Sequence, residues 1–309
     1  MTLHDLYKKY SSGLLDKHRY IELMHKKHLD LFDYYDYIKE TDIQSITIAN
    51  DSIYVTVRGS NIKLLLDKYD RRFIPIEILN FHTFDPEERN LLYKIAGRAK
   101  TIFDIGANIG WYTLNFALLD ERNKVYSFEP IPYTYDYLNK HIKLNKVRNA
   151  ISYNIGFSDT IEDKIFYWSK DETGSSSMQN IQKRSEANKI KCKITTLDHF
   201  MSGKNINIDL IKCDVEGAEL FVFKGGLETI KKQKPIIFTE MLRKWSRIFG
   251  YHPNDIITLL RSIGYECYII NKGRLKKFGL VDDETIQTNY FFLHTKKHAK
   301  LISELTAKK

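Results

Sequence analysis

The chain has 309 residues, 43% of them hydrophobic and 28% charged, which suits one large α/β domain plus an additional segment. No apolar run approaches the roughly 18 residues needed to span a bilayer, and the start at Met1-Thr2-Leu3-His4-Asp5 lacks the apolar stretch of a secretory signal. Three scattered cysteines (Cys192, Cys213, Cys267) exclude a disulfide framework and a zinc knuckle, so a reducing cytoplasm is expected. The net charge of +9 is dispersed over separate clusters, such as Lys231-Lys232 and Arg243-Lys244/Arg247, in the manner of solvated surface cations.

Residues 3 to about 42 carry apolar and aromatic side chains at helical spacing, which predicts helices outside the main fold. Alternating β-prone runs follow at Ser45–Ala49, Ile53–Val57 and Ile62–Leu66, separated by turn signals. Asp85-Pro86-Glu87-Glu88 then reads as the capped start of a helix. From Thr101 the pattern becomes strand–helix alternation. Strands are expected at Thr101–Ile105, Lys124–Phe128, Ala150–Asn154, Asp209–Cys213, Pro235–Thr239, Tyr265–Ile270 and Gln287–His294. Helices are expected at Trp111–Leu119, Tyr133–Leu144, Ala218–Lys231 and Asp255–Ser262, with a polar loop near 170–190. The pattern predicts a mostly parallel, doubly wound sheet whose ligand crevice lies at the carboxyl ends of the strands. Three sections are expected: a helical segment over 1–42, a small β-rich section with a lead-in helix over 43–98, and a catalytic domain over 99–309.

Asp104-Ile105-Gly106-Ala107-Asn108-Ile109-Gly110 lies between a strand and a helix. Gly106 and Gly110 allow a tight turn and close approach to a ligand, and the following helix start offers unpaired N–H groups to an anion. Asn108 stands where a dinucleotide enzyme needs its second glycine, and Asp104 suits a cationic ligand better than a diphosphate. S-adenosylmethionine, with a carboxylate, an ammonium and a sulfonium, fits both features. Glu129 follows 25 residues after Asp104, at the end of the second strand, where an acid accepts hydrogen bonds from ribose hydroxyls. Asn154, at the end of the third strand, joins these cofactor-binding candidates. The segment Asp214-Val215-Glu216-Gly217-Ala218-Glu219 brings carboxylates to another strand end, although acids at a helix start also serve as caps.

The series Phe103-Asp104-Ile105-Gly106-Ala107-Asn108-Ile109-Gly110-Trp111-Tyr112-Thr113, Phe128-Glu129-Pro130, Thr195-Thr196-Leu197-Asp198 and Asp214 to Glu219 resembles the FkbM-type methyltransferase family over roughly residues 100–240. The resemblance implies a class I methyltransferase (Rossmann-like) fold and S-adenosylmethionine as donor, released as S-adenosylhomocysteine. It implies O-methylation of a sugar hydroxyl in glycan, polysaccharide or natural-product assembly. The expected partner is a sugar or glycan acceptor, with nucleotide- and lipid-linked forms among the candidates. It also implies that the serine-containing segment Gly174–Met178, with Ser176, lies near the cofactor.

A base that removes the acceptor's hydroxyl proton contributes about 10²–10⁴-fold. Asp214, Glu216 and Glu240 are the candidates, because each ends a strand or follows one. No His/Cys spacing matches a zinc site, and no tightly bound metal is expected. A nucleic-acid methyltransferase is the nearest alternative on charge, but a carboxylate-rich site repels phosphates. A non-catalytic scaffold that binds S-adenosylmethionine is the alternative from another class, and the missing second glycine disfavours a dehydrogenase.

Overall fold

The computed structural model describes residues 1–175, 177–179 and 188–307. Helices α1 (Leu3–Ser11) and α2 (Lys17–Tyr37) come first. Thr2 and Asp5 form a reciprocal capping box on α1, and Asp16 accepts from the Arg19 N–H at the start of α2. None of the residues of α2 is buried. Next comes an antiparallel meander of β1 (Ile43–Ile48), β2 (Ile53–Val57) and β3 (Lys63–Leu65), close to the three expected runs. Helices α3 (Ile74–Phe81) and α4 (Pro86–Ala96) lead into the main sheet.

The alternating segment supplies β4 (Thr101–Ile105), α5 (Trp111–Leu119), β5 (Lys124–Phe128), α6 (Pro132–Leu144) and β6 (Ala150–Tyr153). After a side sheet of β7 (Gly156–Phe157), β8 (Glu162–Trp168) and β9 (Asn188–Thr195) come α7 (Leu197–Met201) and β10 (Leu210–Cys213). Then follow α8 (Glu219–Gly225), α9 (Leu227–Gln233), β11 (Ile236–Glu240) and α10 (Arg243–Ser246). The series closes with α11 (Pro253–Ser262), β12 (Tyr265–Asn271), β13 (Arg274–Lys277), β14 (Asn289–His294) and α12 (Ala299–Thr306).

The main sheet runs in the order β13-β12-β14-β11-β10-β4-β5-β6 among the described residues. The five strands from β11 to β6 are parallel, whereas β14, β12 and β13 pair antiparallel. This is the class I methyltransferase fold. From β4 the chain steps outward to β5 and β6, then returns to the other side of β4 as β10, which opens a crevice above the carboxyl ends of β4 and β10. Side-chain alternation sorts the core: Ile102 and Leu210 face α4 and α5, while Phe103, Ile105, Ile211 and Cys213 face α7, α8 and α11.

Two expectations are corrected. The single helix predicted over Ala218–Lys231 is two helices that meet at Gly225 and Gly226. A Cβ at Gly225 would stand 2.0 Å from the Ser158 carbonyl oxygen, and one at Gly226 would stand 2.7 Å from Leu197, so close packing takes priority over helix continuity. The polar interval near 170–190 is narrower than expected, because β9 already begins at Asn188 and pairs antiparallel with β8.

The meander is fastened to the main domain through α6. Asn145 accepts from the Lys63 N–H at 2.7 Å and donates to the Lys63 carbonyl at 2.8 Å. His141, fully buried, lies 2.7 Å through Nδ1 from the Ile109 carbonyl and accepts at Nε2 from the Leu65 N–H at 2.9 Å. These two partners fix a neutral imidazole with its proton on Nδ1. Burial pushes the His141 pKa down to about 4. Protonation thus favours the unfolded chain, and the stability tied to the neutral ring is complete above about pH 6.5 and lost as pH falls toward 4. Over that window the wild type should lose about 3 kcal/mol of unfolding free energy that His141→Gln does not lose. Urea unfolding of both proteins at a series of pH values measures the difference; parallel curves would show that His141 titrates normally.

Candidate active site

After β4 the chain must turn into α5 within five residues, and the turn lies against the end of β10. Gly106 has φ +75°, and a Cβ there would stand 1.8 Å from the Asp214 carbonyl oxygen. Gly110, at φ +93°, leads into α5, and its Cβ would meet Leu138 at 2.5 Å. The Gly106 and Ala107 N–H groups donate to the Phe128 carbonyl, both at 3.0 Å, which ties this turn to the end of β5. Asn108 holds a left-handed backbone with φ 48°.

Glu129 is buried at the end of β5, where its carboxylate accepts from the N–H groups of Asn108 and Ile131, each at 2.9 Å. Burial raises its pKa, while these hydrogen bonds work in the opposite direction. The Asn154 amide donates to the Glu129 and Pro130 carbonyls at 2.9 and 3.0 Å, so it braces the turn that carries Glu129 and does not line the cavity. Ser176 lies outside the described residues. Its neighbour Ser177 donates to the Glu216 carbonyl at 2.9 Å.

The direct role expected for Asp104 toward a cationic ligand is corrected. Alternation on β4 turns its side chain toward α5, where it is fully buried and accepts from the Thr113 hydroxyl at 2.6 Å. The sheet register places Lys212 of β10 opposite it. The Lys212 ammonium donates to the Gly106 carbonyl at 2.8 Å and lies 3.4 Å from Asp104 and 3.6 Å from Asp214. Burial alone would lower the Lys212 pKa, but the two carboxylates raise it overall, so the cation is retained. Asp104 is therefore an internal counter-ion beneath the floor.

Above this floor opens a cavity of about 410 Å³. It is contiguous with a smaller one beside Glu129, and Gly106, Asn108, Asp214 and Glu216 line both. One carboxylate oxygen of Asp214, Oδ1, is buried without a hydrogen-bond partner. Glu216 and Glu240 line the large cavity, and both pKa values are raised well above the ordinary value by burial and by nearby carboxylates, Asp214 foremost. Glu219, by contrast, accepts from the Val215 and Gly217 N–H groups at 3.0 and 3.1 Å and closes its own turn; burial raises its pKa to about 7.

Sequence reasoning missed Lys212, whose only signal was a lysine inside an apolar strand, and it missed the role of Asp85. Asp85 does precede a helix, but its side chain makes no cap hydrogen bond. Its backbone is left-handed (φ 46°), and its carboxylate accepts from the Tyr112 hydroxyl at 2.7 Å in the cavity wall. Burial raises the Asp85 pKa against that hydrogen bond. Phe73 and Phe84 extend the same wall, so the section before β4 builds one side of the cavity. Among the described residues, no group of three or more His, Cys, Asp or Glu side chains has the arrangement of a metal site.

The model of the methyltransferase FkbM domain matches residues 104–267, which hold the turn, Glu129 and the acidic strand end. The chain belongs to the FkbM methyltransferase family. It is 27% identical over 135 residues to the tRNA(Phe) (4-demethylwyosine(37)-C(7)) aminocarboxypropyltransferase of Methanocaldococcus jannaschii, over 41% of this chain and 54% of that protein. The match thus spans about half the length of that relative. Methyltransferase sdnD of Sordaria araneosa is 27% identical over 191 residues, 52% of this chain and 70% of that protein. Among solved structures, the methyltransferase FkbM of Methylobacillus flagellatus aligns with a TM-score of 0.40 at 14% identity, over 69% of this chain and 52% of that one. The methyltransferase FkbM domain implies S-adenosylmethionine as the cofactor. The site fits that donor: the Gly106 cradle admits no Cβ, and the unpartnered Asp214 oxygen offers an acceptor to an ammonium.

Replacing Lys212 by Met should cost about 3–5 kcal/mol of unfolding free energy, because it strands a buried Asp104 carboxylate. The double variant Asp104→Asn/Lys212→Met should recover a large part of that loss in urea unfolding. Equal losses in the single and double variants would show that the ion pair is not the cause.

Proposed function

We propose that this methyltransferase transfers its methyl group to a hydroxyl of a sugar acceptor, in glycan, polysaccharide or natural-product assembly. The observation that carries the reading is the lining of the cavity, where Asp85, Asp214, Glu216 and Glu240 stand among the rings of Phe73, Phe84, Trp111, Tyr112 and Trp245. Carboxyl groups satisfy sugar hydroxyls, and aromatic faces suit the apolar faces of sugar rings. The concentration of acids disfavours a polyphosphate chain near the reacting centre, which supports a sugar over RNA. Three free, buried cysteines support a cytoplasmic location.

Glu129 would hold the ribose of the donor, Gly106, Asn108 and Gly110 its backbone-lined path, and Asp214 the ammonium. When bound, the donor supplies an electrophilic methyl group on a sulfonium leaving group. The chain must then hold the acceptor oxygen in line with that methyl and take up the hydroxyl proton. Burial and neighbouring charge make Glu216, Glu240 and Asp85 more basic than ordinary carboxylates, so each suits that proton. A crowded set of this kind holds a shared proton more readily than an isolated carboxylate does, and protonated members donate hydrogen bonds to sugar oxygens.

The test supplies labelled S-adenosylmethionine with a panel of free sugars, nucleotide sugars, glycans and RNA. Label should appear on a sugar hydroxyl; label on RNA alone, or none despite donor binding, would defeat the sugar reading. Glu129→Ala should weaken S-adenosylhomocysteine binding at least tenfold by calorimetry. Asp85→Asn and Glu240→Gln, made singly, should lower kcat by about 10²–10⁴-fold in whichever carries the base, with little change in donor affinity. Unchanged kcat in both variants, and in Glu216→Gln and Asp214→Asn, would remove the base assignment.

A further inference from the structure

Beside the acidic cavity lies a second cleft of about 600 Å³, formed by the segment after β11 and the segment leading into β14. Leu242 and Lys244 line both spaces, so the two are contiguous. Across that shared wall the charge changes sign. The inner cavity is lined by six carboxyl groups, Asp85, Asp214, Glu216 and Glu240 among them, against Arg72, Lys212 and Lys244, whereas Arg243, Lys244, Arg247 and His252 line the cleft, with Asp283 its single carboxylate. Asp283 is fully exposed and, among the described residues, engages Arg243 at 2.7 Å. Lys244 and Arg247 are exposed and have no ion-pair partner among the described residues, and the Lys244 ammonium rests 4.1 Å above the Trp245 ring.

We propose that this cleft binds a phosphate or diphosphate group of the acceptor, whose reacting hydroxyl reaches the inner cavity. The inference rests on the sugar reading and narrows it to an acceptor that is neutral at its reacting end and anionic at the other. Three observations meet here. The cleft opens into the reaction cavity at the carboxyl end of the sheet. Two of its cations lack an ion-pair partner among the described residues, and those cations sit on a concave surface that also presents Tyr251 and Gln287. A phosphate placed instead in the inner cavity would face six carboxyl groups against three cations, Arg72, Lys212 and Lys244. Lys244, on the shared wall, stands where the two parts of one ligand would join.

The full-length protein, saturated with S-adenosylhomocysteine, is titrated calorimetrically with inorganic pyrophosphate and, separately, with a 12-nucleotide single-stranded RNA. Arg247→Glu, Lys244→Glu and the remote control Lys276→Glu are compared with the wild type. The expected result is wild-type pyrophosphate binding that Arg247→Glu and Lys244→Glu each weaken at least tenfold and Lys276→Glu leaves unchanged. Absence of wild-type binding at millimolar pyrophosphate overturns the proposal. So does an equal loss with Lys276→Glu, which would reveal a general charge effect. RNA binding a hundredfold tighter than pyrophosphate and abolished by the same two variants overturns it in favour of a nucleic-acid partner. Binding of S-adenosylhomocysteine, read beforehand on every protein, reports the donor site separately, and the acceptor panel reports the sugar reading without reference to the cleft.

Discussion

One buried ammonium organises the centre of this structure. Lys212 and Asp104 are register partners on adjacent parallel strands and project to the same face of the sheet. Neither charge could be buried alone, since desolvating a lone ion costs several kcal/mol. Together they are tolerable, and the Gly106 carbonyl and Asp214 complete the shell around Lys212. The same contacts fix the Gly106 turn, hold one oxygen of Asp214 and leave its other oxygen free. The cation also lies 5.4 Å from the centre of the Tyr112 ring, whose hydroxyl reaches Asp85. Floor and wall are thus set by one internal charge.

The wall depends on a second constraint, the attachment of the section before β4. His141 of α6 and Asn145, the residue that caps its C-terminus, hold β3, and Asp67 accepts from the Tyr133 and Tyr137 hydroxyls of the same helix. Asp70, buried, accepts from the Thr173 N–H at 3.0 Å and so links this section to the segment beside the cavity. The chain from 67 to 85 is therefore held across the carboxyl ends of the strands, and Phe73, Phe84 and Asp85 enter the cavity wall. These residues lie outside the family match of 104–267. The cavity is built by two parts of the chain: the matched part supplies the glycine turn and Glu129, and the preceding part supplies a wall outside that match.

The main sheet was legible because buried parallel strands are near-continuous apolar runs and each helix between them has its own start signal. The glycine turn was legible because few residues other than Gly106 can approach a neighbouring backbone so closely. Asp85 was misread because its local signal, an acid before Pro86, is that of a helix cap; the tertiary bond from Tyr112 outweighed it. Lys212 could not be assigned a partner without the register of β4 against β10. The β8–β9 pair was not among the expected strands, although Lys189, Lys191 and Lys193 alternate with apolar Ile190, Cys192 and Ile194 at a period of two. The break at Gly225 and Gly226 had no local signal beyond the glycines themselves, because what forbids a side chain there is Ser158 and Leu197, far away in sequence.

Three of the eight non-glycine residues with a left-handed backbone among the described residues lie at this cavity. Asp85, Asn108 and Glu216 each hold a left-handed backbone, at φ 46°, 48° and 53°, and all three line the large cavity. Such a conformation is least costly for Asn and Asp, whose short polar side chains can bond locally, and more costly for Glu. Local propensity does not account for Glu216, whose neighbour Gly217 already provides a residue suited to positive φ. The conformation persists because the surroundings fix it: Ser177 donates to the Glu216 carbonyl, and Glu219 gathers the Val215 and Gly217 N–H groups on either side. Strain of this kind, held in place by its neighbours, costs some stability at each of these three cavity positions. Carboxyl groups with raised pKa values occupy two of those three positions, so the strained backbone and the crowded charge have a common cause in the placement of acids around one cavity.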